Sequence, residues 1–108
     1  MLTRRDVVAL LEAHGLAPSR ALGQNFVVDP NTIRKVVDLA AVAPGDPVVE
    51  IGAGLGSLTT ALAEAGAEVT AVELDKHLVP VLREVVAGTS VRIVEADART
   101  VDWDDLLA

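Results

Sequence analysis

Cysteine is absent from all 108 residues, which excludes disulfide frameworks, cysteine-rich zinc sites and thiol nucleophiles together and gives no reason to place the chain in an oxidising compartment. Basic charge is scarce as well: nine Lys and Arg stand against 16 Asp and Glu, for a net charge of −7. Non-specific grip on nucleic acid comes mainly from Lys and Arg neutralising phosphates, so these residues alone make a poor phosphate-binding surface. The imbalance is uneven. Residues 1–24 carry three arginines against two acids, a net of +1, which leaves −8 for residues 25–108. Any nucleic-acid-binding surface would therefore lie mostly elsewhere.

Long uncharged apolar runs are also missing. The start is basic, with Arg4 and Arg5, but Asp6 and Glu12 interrupt the apolar residues that follow, as no secretory core or membrane span would tolerate. A cytoplasmic chain with no membrane partner is the expectation. His14 and His77 have no neighbours at metal-ligand spacing and read as surface residues, so no metal site is expected. No Ser/His/Asp set points to hydrolysis, and there is no internal repeat, low-complexity tract or flexible linker.

What the chain does have is apolar content, 51% of it, enough to bury one core but not two ordinary ones. Thr3 with Asp6 resembles a capping box, and Val7, Leu10, Leu11 and His14 share a helical face that Gly15 ends. Residues 16–28 lack a clean period and read as an ordered loop. Asp29-Pro30 supplies an N-cap followed by proline at the first helical position, with Ile33, Val36, Val37 and Ala40 as the expected buried stripe. From Val48 the pattern alternates strand and helix. Val48–Ile51, Val69–Val72 and Val91–Val94 read as strands. Leu58, Leu62 and Ala65 give an inner helical face closed by Gly66. Residues 76–87 read as a helix, although Pro80 costs it a hydrogen bond unless the helix begins near that residue. Trp103–Leu107 opens a last helix, with Trp103 as its partly buried anchor. Strands and helices alternating at this spacing imply parallel pairing and a three-layer α/β sheet.

The strongest local signal is Glu50-Ile51-Gly52-Ala53-Gly54-Leu55-Gly56, a strand running into a glycine-rich turn and a helix. Glycines at alternate positions let the backbone turn tightly and let a ligand approach peptide N–H groups that a β-carbon would shield. A plain strand-to-helix turn is the bland alternative. Glu73, at the end of the second strand and 21 positions after Gly52, stands where a carboxylate accepts both ribose hydroxyls of an adenosine, a geometry common to NAD and S-adenosylmethionine sites. An NAD site needs G-x-G-x-x-G, and Ser57 occupies its third glycine. Glu50 shifts the balance toward S-adenosylmethionine, because it could face the methionine ammonium, a cation NAD does not possess. Asp97, after the third strand, could accept from the adenine amino group; a turn or cap role is its alternative.

Leu22-Gly23-Gln24-Asn25-Phe26, Glu50 to Gly56, Val72-Glu73-Leu74-Asp75 and Asp97-Ala98, in this order and spacing, together resemble the ribosomal RNA adenine N6-dimethyltransferase family, with its bacterial small-subunit branch the nearest likeness. The resemblance covers nearly the whole chain from Arg20 onward, and Gln24-Asn25-Phe26 is its most discriminating part. It implies a Rossmann-like S-adenosylmethionine-dependent methyltransferase fold, cut to the first three parallel strands and their helices. Residues 1–28 would be an amino-terminal helix and cofactor-covering loop, and residues 29–108 the first half of the cofactor-binding domain. The implied contacts are Asn25 and the Val27 backbone on the methionine part, with Gly52 and Gly54 beside it. Glu73 and Leu74 would hold ribose and adenine, and Asp97 and Ala98 would complete the adenine pocket.

The chain departs from the family's pattern in two respects. The Asn-Leu-Pro-Tyr-like tetrapeptide that would hold the target base is not found in these residues and is expected beyond Ala108, after a fourth strand. The helical domain that usually contacts RNA is not found in them either. The expectation is thus an amino-terminal piece with no catalytic residue of its own, inactive alone. The parent protein would dimethylate adenine N6 in 16S ribosomal RNA of the small subunit. Two alternatives stand beside it: a non-catalytic fragment that binds cofactor or self-associates through an unpaired edge at Val48–Ile51, and, more remotely, an NAD-dependent oxidoreductase domain.

Overall fold

A computed structural model describes residues 3–16 and 29–107. Among these the elements run α1 (Arg4–Ala13), α2 (Pro30–Ala40), β1 (Pro47–Ile51), α3 (Ser57–Glu64), β2 (Glu68–Glu73), α4 (Val79–Val85), β3 (Arg92–Glu95) and α5 (Trp103–Leu107). The loop expected over residues 16–28, with Gln24, Asn25, Phe26 and Val27, falls almost wholly outside the described residues. Ala108, beyond which the base-holding tetrapeptide is expected, lies outside them too. No described helix is long and apolar enough to cross a membrane.

The three strands pair in parallel in the order β1-β2-β3, as the strand and helix alternation requires. Val48 and Glu50 lie opposite Val69 and Ala71. Residues two apart on a strand point the same way, so these four share one side of the sheet. On that side Leu62 of α3 packs with Val69 and Leu82 of α4 with Ala71. Both helices therefore cover the same face. Successive parallel strands laid down in one direction take crossovers of one hand, which puts both crossover helices on one side. The other side of β1 is bare, with Val49 and Ile51 36% and 62% exposed. Over β1 the described residues thus form two layers, where the sequence suggested three.

Local sequence explains the helix boundaries. Thr3 and Asp6 form the expected capping box: the Asp6 N–H donates to Thr3 Oγ1 at 3.2 Å and the Thr3 N–H to Asp6 Oδ2 at 2.9 Å. Asp29 caps α2 by accepting from the Asn31 N–H at 2.7 Å, and Pro30 occupies the first turn, where a missing N–H costs nothing. The α2 stripe is narrower than expected. Ile33 is buried and Val37 half-buried, whereas Val36 and Ala40 are exposed; Val37 meets the cluster of Leu62, Ala67 and Val69, and Val36 lies about 100° away around the helix.

The α4 helix begins at Val79 rather than residue 76, because Pro80 fits only a first turn. Ahead of it, Asp75 organises a turn, accepting from the His77 N–H at 2.8 Å through its side chain and from the Leu78 N–H at 3.0 Å through its carbonyl. Val7 and Leu11 of α1 are buried against Leu55, Leu78 and Val81. His14 continues that stripe at helical spacing. It is accordingly not a bare surface residue: its Nε2 lies 2.5 Å from Glu84 Oε2 of α4, with 25% of the side chain exposed. His77 is exposed and Trp103 half-buried, as their surroundings suggested.

Candidate cofactor site

The turn from β1 into α3 is built by alternation. Gly52, Gly54 and Gly56 hold positive φ angles of 73°, 58° and 88°, and the two residues between them point into the core. Ala53 packs with Ala71 and Leu82, while Leu55 is pinned by Val7 and Leu11 of α1. The side chains thereby anchor the loop, and of the three glycines Gly52 leaves its backbone exposed while Gly54 and Gly56 are buried.

The glycines differ in what surrounds them. A β-carbon on Gly56 would stand 2.9 Å from Leu82 Cδ1 and 3.2 Å from Val85 Cγ1, so this position is glycine because α4 passes directly over it. A β-carbon on Gly52 would meet nothing within 4 Å. Space there is open to a ligand lying against the main chain. The Gly52 N–H itself continues the sheet, donating to the Val72 carbonyl at 2.8 Å.

Glu73 ends β2 on the same side as Ala71, which brings its carboxylate to the glycine loop. One oxygen accepts from the Gly54 N–H at 2.7 Å and the other from the Asp75 N–H at 2.9 Å, and the residue is only 7% exposed. Charge-assisted bonds to backbone N–H groups are among the stronger hydrogen bonds. Each carboxylate oxygen keeps a further lone pair for a ligand hydroxyl.

Glu50, next to last in β1, faces the same side and is half-buried. Its Oε1 accepts from the hydroxyl of Thr59 in α3. Burial pushes the Glu50 carboxyl above its ordinary value and the charge of Glu73 adds to this, while the Thr59 bond acts the other way. Two acids therefore converge on the loop, from adjacent strands.

Asp97 lies beyond β3 in a turn tied back to β2 by the bond from the Ala96 N–H to the Glu73 carbonyl, 3.1 Å. Its carboxylate accepts from the Arg99 N–H at 2.9 Å and from the Arg99 guanidinium at 3.1 and 2.8 Å. Those side-chain and backbone bonds hold the Asp97 carboxyl down at about 2. Leu74 is exposed and Ala98 half-buried, flanking the ends of β2 and β3. The structure thus gathers Glu50, Gly52, Gly54 and Glu73 about one loop and sets Leu74, Asp97 and Ala98 on the adjoining turns. Asn25 and Val27 lie outside the described residues.

Two participants escaped sequence reading. Thr59 stands between Leu58 and Thr60 in the first turn of α3 with no motif to mark it; the only signal is its place three residues beyond the last glycine of the loop. Arg99 follows Asp97 at a spacing compatible with an Asx turn, and that pairing is visible only when the turn is built.

The family model described as ribosomal RNA adenine dimethylase matches residues 17–107. The chain is 49% identical over 102 residues to ribosomal RNA small subunit methyltransferase A of Deinococcus radiodurans, covering 94% of this chain and 35% of that protein. It is 50% identical over 103 residues to the protein of the same name from Kineococcus radiotolerans, covering 91% of this chain and 34% of the relative. Among solved structures it is similar to the 23S rRNA methyltransferase ErmE, with a TM-score of 0.65 and 38% identity over 70% of this chain and 32% of that one. A dimethyladenosine transferase from Plasmodium falciparum gives a TM-score of 0.61 and 26% identity over 68% of this chain and 28% of its own. The chain spans about 35% of the length of the curated relatives it matches.

Proposed function

We infer, because this chain belongs to the ribosomal RNA adenine dimethylase family, that it forms the S-adenosylmethionine-binding part of an adenine N6-dimethyltransferase whose substrate is 16S ribosomal RNA of the small subunit. We place that protein in the cytoplasm with its ribosomal substrate. The observation that carries the reading is the junction of Glu73 with the glycine loop through the Gly54 N–H at 2.7 Å, which sets a carboxylate beside bare backbone at the carboxyl ends of parallel strands.

The residues present fit this cofactor. The open space at Gly52 admits the amino-acid part against the main chain, and the remaining lone pairs of Glu73 suit the ribose hydroxyls. Glu50 offers its half-buried negative charge to the ammonium group, which a nicotinamide dinucleotide lacks. Leu74 and Ala98 supply apolar walls for adenine, and Asp97 accepts from the adenine amino group once Arg99 turns aside. Asn25 and the Val27 backbone are assigned to the methionine part. When bound, the cofactor supplies a methyl group made electrophilic by its sulfonium sulfur. The protein's share is to hold the cofactor fixed for an in-line approach by the base.

For residues 1–108 taken alone we propose little or no methyl transfer, since no segment from Met1 to Ala108 is assigned to hold the target base, and self-association along β1. Titration calorimetry with S-adenosylhomocysteine tests the cofactor site. Binding is expected, and Glu73→Ala should weaken it by roughly ten- to a hundredfold, the worth of one or two charge-assisted hydrogen bonds. Unchanged affinity in that variant would remove Glu73 from the site.

A further inference from the structure

We propose that Thr59 is a positioning residue: from the first turn of α3 its hydroxyl fixes the Glu50 carboxylate in the orientation that receives the ammonium group of the cofactor. The inference rests on the cofactor reading above and adds a residue that no motif marks.

The argument starts from cost. Glu50 is half-buried and faces the negative charge of Glu73, so the ionised form that a cation requires is opposed by desolvation and by its neighbour. A donor must offset this, and the Thr59 hydroxyl does so at Oε1. Thr59 is 0% exposed, with no water to compete for its single proton. A threonine in a helix has two χ1 rotamers open to it, and in the fully buried Thr59 the one adopted sets the hydroxyl on Glu50 Oε1, which leaves the other carboxylate oxygen to the ligand. Because the register puts Glu50 on the side of the sheet that α3 covers, the pair also locks the end of β1 to the first turn of the helix that follows the loop.

The test exploits a ligand without the ammonium group. Titration calorimetry on the full chain compares S-adenosylhomocysteine, which carries the amino acid, with 5′-methylthioadenosine, which does not. Thr59→Val keeps the shape and removes the hydroxyl; it should weaken S-adenosylhomocysteine about tenfold, the scale of one hydrogen bond to a charged group, while 5′-methylthioadenosine changes less than about twofold. Thr59→Ser, which keeps the hydroxyl, should retain most of the preference, and serves equally if the valine variant does not fold. The acid side of the pH profile for S-adenosylhomocysteine should move upward in Thr59→Val, since losing the donor raises the Glu50 carboxyl further.

Equal weakening of both ligands in Thr59→Val would reveal a general packing role and overturn the proposal, as would loss of the preference in a folded Thr59→Ser. An unsubstituted chain that binds 5′-methylthioadenosine as tightly as S-adenosylhomocysteine would sink the ammonium subsite alone. One that binds neither would overturn the cofactor reading, and this inference with it.

Discussion

Glu50 and Glu73 are both acids at the ends of adjacent strands, yet the fold treats them differently. Glu73 has a backbone N–H on each oxygen, while Glu50 has one hydroxyl donor against burial and a like charge. A carboxyl raised in the folded chain holds its proton to a higher pH than in the unfolded chain, so stability falls as pH rises through the window from the ordinary value of 4.5 to the raised one. Above that window the ligand-free fold bears the whole cost of the buried charge. Glu50→Gln should therefore raise the thermal midpoint at pH 7, by roughly 4–8 °C for each kcal/mol recovered in a domain of this size, with the gain shrinking as pH falls through that window and gone below its lower end at 4.5. The same variant should lose affinity for S-adenosylhomocysteine. A midpoint no higher than that of the unsubstituted chain at pH 7 would count against a charged, functionally retained Glu50.

The glycine loop shows how an element can serve two neighbours at once. Ala53 and Leu55 hold it to β2, α4 and α1, Gly52 leaves its face open, and Gly56 lets α4 pass within van der Waals distance. Gly56→Ala places a methyl 2.9 Å from Leu82 Cδ1 at a φ of 88°, which combines overpacking with left-handed strain. The expected cost is about 1–3 kcal/mol, read as a lowered denaturant midpoint with an unchanged slope. A neutral outcome would mean that α4 yields easily at Leu82. The alternation of glycine with small and large apolar residues was legible in the sequence, and so were the capping box at Thr3 and the proline-led start of α2. The start of α4 was legible only as a conflict, a long apolar period against Pro80, which the Asp75 turn resolves in favour of the proline.

At the scale of the whole molecule, β1 is one of the two end strands of the described sheet, paired on one edge with β2, and Val49 and Ile51 on its uncovered face are exposed. An apolar strand edge of this kind is a template for another chain. Sedimentation of residues 1–108 is expected to show self-association that grows with protein concentration, and a monomer throughout the concentration range would exclude it. The net charge of −7 resists such association at low salt, so added salt should strengthen it.

The sequence by itself determined the order of strands and helices, the glycine turn and the acids at the strand ends, because hydrophobic period, capping and turn chemistry are local properties that neighbouring residues carry between them. Only the tertiary structure decided which face the helices share, that His14 meets Glu84, and that a buried threonine nine residues along the chain stands against Glu50. Those outcomes depend on strand register and on how far apart two elements come to rest, and a contact between residues on different elements leaves no period or motif in the chain that makes it.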